Sequence, residues 1–296
     1  MTMLSLDALQ EGDILLMMGD GPLSDLIAWA SDGIYSHAAI VADNGELIEA
    51  SLRGVRRYPL ARRVAEQAHF HCIDAFRMRD GLGRAIDARD RGRVRQHAQG
   101  MLGVPYPVNQ LALLGVVMAV RGKWPAHPLA RKLVRLALDH ALPARSPAMV
   151  CSEVVYRSWA ECDVDPRGRL APRIVEGERG VAPFPAIDWK VLFDEVGPLL
   201  GSQALLAAGT ARGTTASADA DATVLLADDG EDIADAALEQ ARLQVLAGLD
   251  QGVLLRGAGV ESLADPRPNP RLVSPQDLAN SPGAELLGRL MQRTMG

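Results

Sequence analysis

Cysteine is scarce in this chain, with three among 296 residues. Cys72, Cys151 and Cys162 are too few and too irregularly spaced for a disulfide framework, and no Cys-x-x-Cys pair marks a zinc site. Each thiol is therefore judged on its own surroundings, and no metal or other cofactor is expected. Positive charge is not in excess either. The formal net charge is −6 and the arginines are scattered, which excludes the basic footprint of a nucleic-acid partner. Long apolar runs are missing as well. The longest, residues 111–120, is about half of the roughly 20 residues that a spanning helix needs, so no transmembrane helix is expected. The first ten residues show neither a positive leader region nor an apolar stretch of export-signal length, which predicts a cytoplasmic compartment. What remains, 48% hydrophobic and 23% charged, is the composition of a globular chain with one sizeable core and an extra segment.

Aromatic residues make up only 4% of the sequence and they stop early. The last is Phe193, and the last His or Cys is Cys162, so the chain beyond about residue 200 is a different kind of polypeptide. Residues 201–232 are rich in Ala, Gly, Thr and Asp, with Arg212 as the only basic side chain, and read as a linker. Residues 233–249 suit one amphipathic helix, after which Pro266, Pro268 and Pro270 break the chain before a short helical end. The expected organisation is a main domain over 1–200, a linker-like segment over 201–232 and a helical extension over 233–296. A lone helix without aromatic anchors needs a surface to pack on, either the first domain or another protein. Lacking such anchors, everything after about residue 200 is expected to be dispensable for the fold of the first domain.

Within the first 200 residues, strand patterns come first, at 13–17, 36–42, 46–51, 55–58 and 69–76, interrupted by a helix over 23–31. Helical patterns follow at 87–102, 108–120, 128–141 and 151–162. Strands grouped ahead of helices predict an α+β domain with an antiparallel sheet packed against helices.

Two short segments carry chemistry. His37 begins an apolar strand, and Glu49 places a carboxylate inside another, where an unpaired charge is costly to bury. Whether they meet depends on the turn between them. If Asp43, Asn44 and Gly45 form a three-residue loop with Gly45 left-handed, Ala39 pairs with Glu49 and His37 lies diagonally across from it on the same face. A two-residue turn at Asn44 and Gly45 would send the two groups to opposite faces. Cys151 opens the helical pattern that continues through Val154, Val155 and Trp159, so its thiol sits where unpaired N–H groups and the helix dipole favour a thiolate. Cys162 continues the apolar stripe and is a core residue. On a strand His69 and His71 share a face while Cys72 points away, which does not make a metal site. Nucleophile, imidazole and orienting carboxylate together are the parts of an activated thiol.

The segments Gly12-Asp13-Ile14-Leu15, Tyr35-Ser36-His37, Ile48-Glu49-Ala50-Ser51, Gly54-Val55, Gly103-Val104-Pro105-Tyr106 and Cys151-Ser152-Glu153-Val154-Val155-Tyr156 closely resemble the permuted NlpC-like papain-fold hydrolases of the YaeF/YiiX branch. The resemblance covers about residues 6–165, and His precedes Cys in the chain, as in that family. It implies a circularly permuted papain-like fold, with Cys151 as nucleophile, His37 as base and Glu49 as orienting residue. Tyr106 would line the site or donate to the oxyanion, with simple turn packing as its alternative. Tyr35 and Ser152 complete the substrate-side candidates, and Ser36 and Ser152 would otherwise only cap or pack. The implied reaction is cleavage of an amide in a peptide or cell-wall peptide through an acyl-enzyme. One alternative is a phospholipase-like lipid esterase or acyltransferase that uses residues 111–120 as an acyl-binding wall. Lecithin:retinol acyltransferase-like enzymes share the permuted plan, but their Asn-Cys-Glu-His nucleophile motif is absent here. Another alternative is a catalytically silent binding module. A chaperone or secretion partner reading the C-terminal extension would fit an exported antibacterial effector that leaves the cell by a signal-independent route.

Overall fold

The alternating apolar segments at the N-terminal end pair into one antiparallel sheet, as a computed structural model of the chain shows. It describes residues 2–51, 53–105, 110–141, 150–175, 182–192, 194–196, 233–254 and 268–293. In chain order the elements are β1 (Ile14–Gly19), α1 (Pro22–Ala30), β2 (His37–Val41), β3 (Glu46–Ser51), β4 (Gly54–Pro59), α2 (Leu60–Ala65), β5 (Phe70–Met78), α3 (Ala88–Gly100), α4 (Gln110–Arg121), α5 (Pro128–Ala141), α6 (Cys151–Ala160), α7 (Asp235–Leu254), α8 (Pro275–Asn280) and β6 (Ala284–Gln292). The strands form a six-stranded open sheet in the order β4-β3-β2-β1-β5-β6, each pair antiparallel. The α+β class with helices packed on an antiparallel sheet is the one expected.

The central strands are apolar on both sides, and their alternation separates two cores. Ile14, Leu16, Ala38, Ile40, Ile48 and Ala50 face the helical layer with Cys151, Val154 and Val155 of α6. Leu15, Met17, Ala39, Val41, Leu47 and Ile73 form the second core, under Leu60 of α2 and Leu290 and Met291 of β6. Helices α4 and α5 approach closely at Gly115, where an added Cβ would stand 2.0 Å from the Ala137 carbonyl oxygen.

The β2–β3 hairpin adopts the longer loop. Asn44 and Gly45 are both left-handed, with φ of 57° and 68°, and Ala39 pairs with Glu49. This register sets His37 and Glu49 on one face, one diagonal step apart.

The C-terminal part departs from expectation. Helix α7 packs on α4 and α5 through buried Leu238, Ala241 and Val245, so the helix finds its surface within the chain. Arg131 donates to the Ile233 carbonyl at 2.7 Å and pairs with Asp235 at the start of the helix. The short helix expected after the prolines is α8, but the chain then continues as strand β6, paired with β5 along the sheet edge, where no strand was expected. Its sequence misled because Glu, Leu, Arg, Met and Gln are good helix formers and no β-branched residue is present; pairing with a strand more than 200 residues earlier overrides that propensity. The linker-like segment 201–232 lies outside the described residues.

The boundary near residue 200 therefore does not divide two separate cores, and this packing argues against the expected dispensability of the tail. Asp74 of β5 is fully buried, and its carboxylate accepts from Arg289 of β6 through Nε at 2.7 Å and Nη2 at 2.9 Å. Removing one partner of a buried pair leaves an uncompensated charge. Arg289→Ala should lower stability by about 3 kcal/mol in urea unfolding, and deletion of residues 284–296 should abolish cooperative melting. A deletion variant that melts like the full chain would show that β6 is not part of the folding unit.

Candidate functional site

Glu49 sits in the middle of β3 with a side chain that is 0% exposed, so its charge must be matched by partners. Three cations supply them. His37, the first residue of β2, is bonded through Nε2 to Oε2 at 3.1 Å. Arg56, directly opposite Glu49 on β4, donates to Oε1 through Nε at 3.1 Å and Nη2 at 2.9 Å. Arg63 of α2 donates Nη2 to the same Oε1. Burial works against the carboxylate, but the hydrogen bond and charge of His37, the charge of Arg63 and the hydrogen bond of Arg56 outweigh it. The Glu49 carboxyl is held down at about 2, below its ordinary 4.5.

The imidazole is engaged by two groups. Glu49 holds the ring through Nε2, and Cys151 is the second group that acts on the imidazole. Burial opposes the imidazolium. The charge and hydrogen bonding of Cys151, followed by the hydrogen bond and charge of Glu49, prevail and raise the His37 pKa from 6.5 to about 9. The ring also stacks on Phe70, with centroids 6.4 Å apart.

Cys151 is the first residue of α6, and Val150 caps that helix without a side-chain hydrogen bond. The first N–H groups of the helix, which have no intrahelical acceptor, thus lie beside the sulfur. The thiol is buried at the inner face of the helical layer. Ser152 is equally buried, and its hydroxyl has no partner among the described residues. Glu153 is buried and tied to Arg157 at 2.8 Å.

A cleft of about 350 Å³ reaches His37 and Glu49 from solvent. Arg56, Arg63, Phe70, Asp20, Ser24 and Glu195 are among the residues that line it. The structure brings His37 and Glu49 together at this cleft, while Cys151, which acts on the imidazole, is buried at the start of α6 and is not among the residues that line it. Of the described substrate-side candidates, neither Tyr35 nor Ser152 lines the cleft. Tyr35 is a correction: its hydroxyl donates to Asp74 at 2.8 Å, its ring packs edge-on against Phe76, and it braces the β5–β6 edge from inside the core. Burial and the Asp74 carboxylate push its phenol pKa up. Ser152 is fully buried and is not among the residues that line the cleft. Tyr106 lies outside the described residues. Arg56 and Arg63 were missed by sequence reasoning. Continuing the pairing from Glu49 across the next hairpin would have found Arg56, whereas Arg63 depends on α2, a helix too short to leave a periodic signal. Among the described residues, no three His, Cys, Asp or Glu side chains converge as metal ligands, and no helix is long and apolar enough to cross a membrane.

The two shifts define a pH window for stability. Glu49 has a depressed pKa, so its contribution is complete above 4.5 and is lost as pH falls toward about 2. His37 has a raised pKa, so its contribution is complete below 6.5 and is lost as pH rises through about 9. The melting-temperature gap between wild type and His37→Gln should therefore be widest between pH 4.5 and 6.5 and should narrow by pH 9. A constant gap across that range would show that the imidazolium is not stabilised by the fold.

No protein-family model matches the chain, and no curated protein does. Among solved structures, a crystal structure of the metalloprotein yiiX from Escherichia coli O157:H7, DUF1105, aligns over 52% of this chain with 19% identity and a TM-score of 0.34. The aligned region spans 66% of that protein, just under two thirds of its length.

Proposed function

We propose that this protein is a cysteine hydrolase built on a permuted papain-like fold, with Cys151 as nucleophile, His37 as general base and Glu49 as orienting carboxylate. One observation carries the reading: a single imidazole is bonded through Nε2 to a fully buried carboxylate, and the thiol at the start of α6 is the group that most raises its pKa. That is the arrangement an activated thiol requires.

In the proposed reaction His37 takes the proton of Cys151 and the thiolate attacks a carbonyl carbon. The N–H groups at the start of α6 stabilise the oxyanion. His37 then returns the proton to the leaving amine, and water, deprotonated by the same imidazole, hydrolyses the thioester. The sulfur is 0% exposed, so the cycle includes a step that opens a path from the cleft to the thiol.

The cleft favours an amide in a peptide or cell-wall peptide over a lipid ester. Ten of the fifteen described residues on its walls are polar or charged, and Leu113 is the only α4 residue among them. The rest of the described α4 apolar run packs in the helical core, where Leu114, Val117 and Met118 are buried, rather than forming an acyl-binding wall.

A thiol-directed acylating probe should label Cys151 and leave Cys72 and Cys162 unmodified, as read by peptide mass spectrometry. On a muropeptide and phospholipid screen, turnover should appear with the muropeptides. Cys151→Ala and His37→Ala should each reduce it by about 10³-fold or more, while Glu49→Gln retains more activity at a cost in stability. Full activity in Cys151→Ala would end this reading.

A further inference from the structure

We propose that Arg56 and Arg63 are positioning residues of this site: together they clamp Oε1 of Glu49, so that Oε2 is the oxygen presented to His37. The use made of the positioned imidazole rests on the hydrolase reading; the clamp rests on geometry alone.

All the guanidinium hydrogen bonds to Glu49 fall on one oxygen. Arg56 donates twice to Oε1, at 3.1 and 2.9 Å, and Arg63 donates to it as well, while Oε2 is bonded to His37 at 3.1 Å. A carboxylate held in this way cannot rotate about its terminal torsion without breaking bonds to cations. The clamp is itself held. Glu66 accepts from Arg63 Nη1 and from the Tyr58 hydroxyl, and the Tyr58 ring lies 4.5 Å from the guanidinium carbon of Arg56 and of Arg63.

Arg63 also carries a cost that a purely structural ion pair would avoid. Its side chain is only 9% exposed, and its Nε has no hydrogen-bond partner among the described residues.

Positioning and simple charge neutralisation have opposite consequences for His37. If the guanidiniums only neutralise Glu49, removing one leaves more negative potential at the imidazole and raises its pKa. If they aim the carboxylate, removing one lets Oε2 leave the imidazole, and the pKa falls.

The test is an NMR titration of ring-labelled histidine in the full chain, with the His37 signal assigned by its loss in His37→Gln. Wild type, Arg63→Gln, Arg63→Lys and Arg56→Gln are compared, each checked for a cooperative melt. The expected result is a fall of the His37 pKa toward 6.5 in both Gln variants, with partial recovery in Arg63→Lys. An unchanged or raised pKa in a folded Gln variant overturns the proposal. Arg56 is more exposed than Arg63, so Arg56→Gln decides if Arg63→Gln does not fold. Probe labelling separates the two claims. Labelled Cys151 with an unmoved His37 pKa rejects the clamp alone, whereas a fallen pKa without labelling keeps the clamp and rejects the hydrolase.

Discussion

A fully buried carboxylate in the centre of a strand is the constraint around which this site is organised. Glu49 has no access to water, and leaving its charge unmatched would cost more than the net stability margin of most domains can absorb. The sheet answers with a histidine from β2 and an arginine from β4, and α2 adds a second arginine from above. The same interactions that make burial tolerable also fix which oxygen faces His37. Structural satisfaction and the orientation of a base are here one arrangement, and a change to either affects both.

The opposite half of the sheet repeats the pattern without the chemistry. Asp74 on β5 is as deeply buried as Glu49, and it is matched by Arg289 from β6 and by the Tyr35 hydroxyl. Strand β6 comes from the far end of the chain, so a buried charge ties the last described residues to the central sheet. The candidate site and the C-terminal strand are linked through this shared frame. Tyr35 stands two residues before His37 in the chain, and β5 carries both Asp74 and Phe70, the ring on which His37 stacks.

Much of the first half of the fold was legible in the sequence because its signals are local. Period-two alternation located β1 to β5; the turn at Asp43–Gly45 left two registers open, and the three-residue loop, the one that lets His37 meet Glu49, is the one observed. Cys151 was legible as a helix start for the same reason. What was not legible depends on contacts distant in the chain. Strand β6 is composed of helix formers and becomes a strand only beside β5. Tyr35 sits next to a site residue in sequence, yet the strand alternation and the pull of Asp74 turn it into the core. Arg63 takes its role from a six-residue helix that no periodicity announces.

The central claim is that His37 and Cys151 act as one acid–base unit. Its most direct measurement is the rate of iodoacetamide alkylation at Cys151 as a function of pH, in wild type and in His37→Ala, read by peptide mass spectrometry with Cys72 and Cys162 as internal controls. A thiolate paired with an imidazolium predicts alkylation at neutral pH that is about 10-fold or more faster in wild type than in the variant, with the difference closing above the His37 pKa of about 9. Equal rates at neutral pH in the two proteins would contradict it.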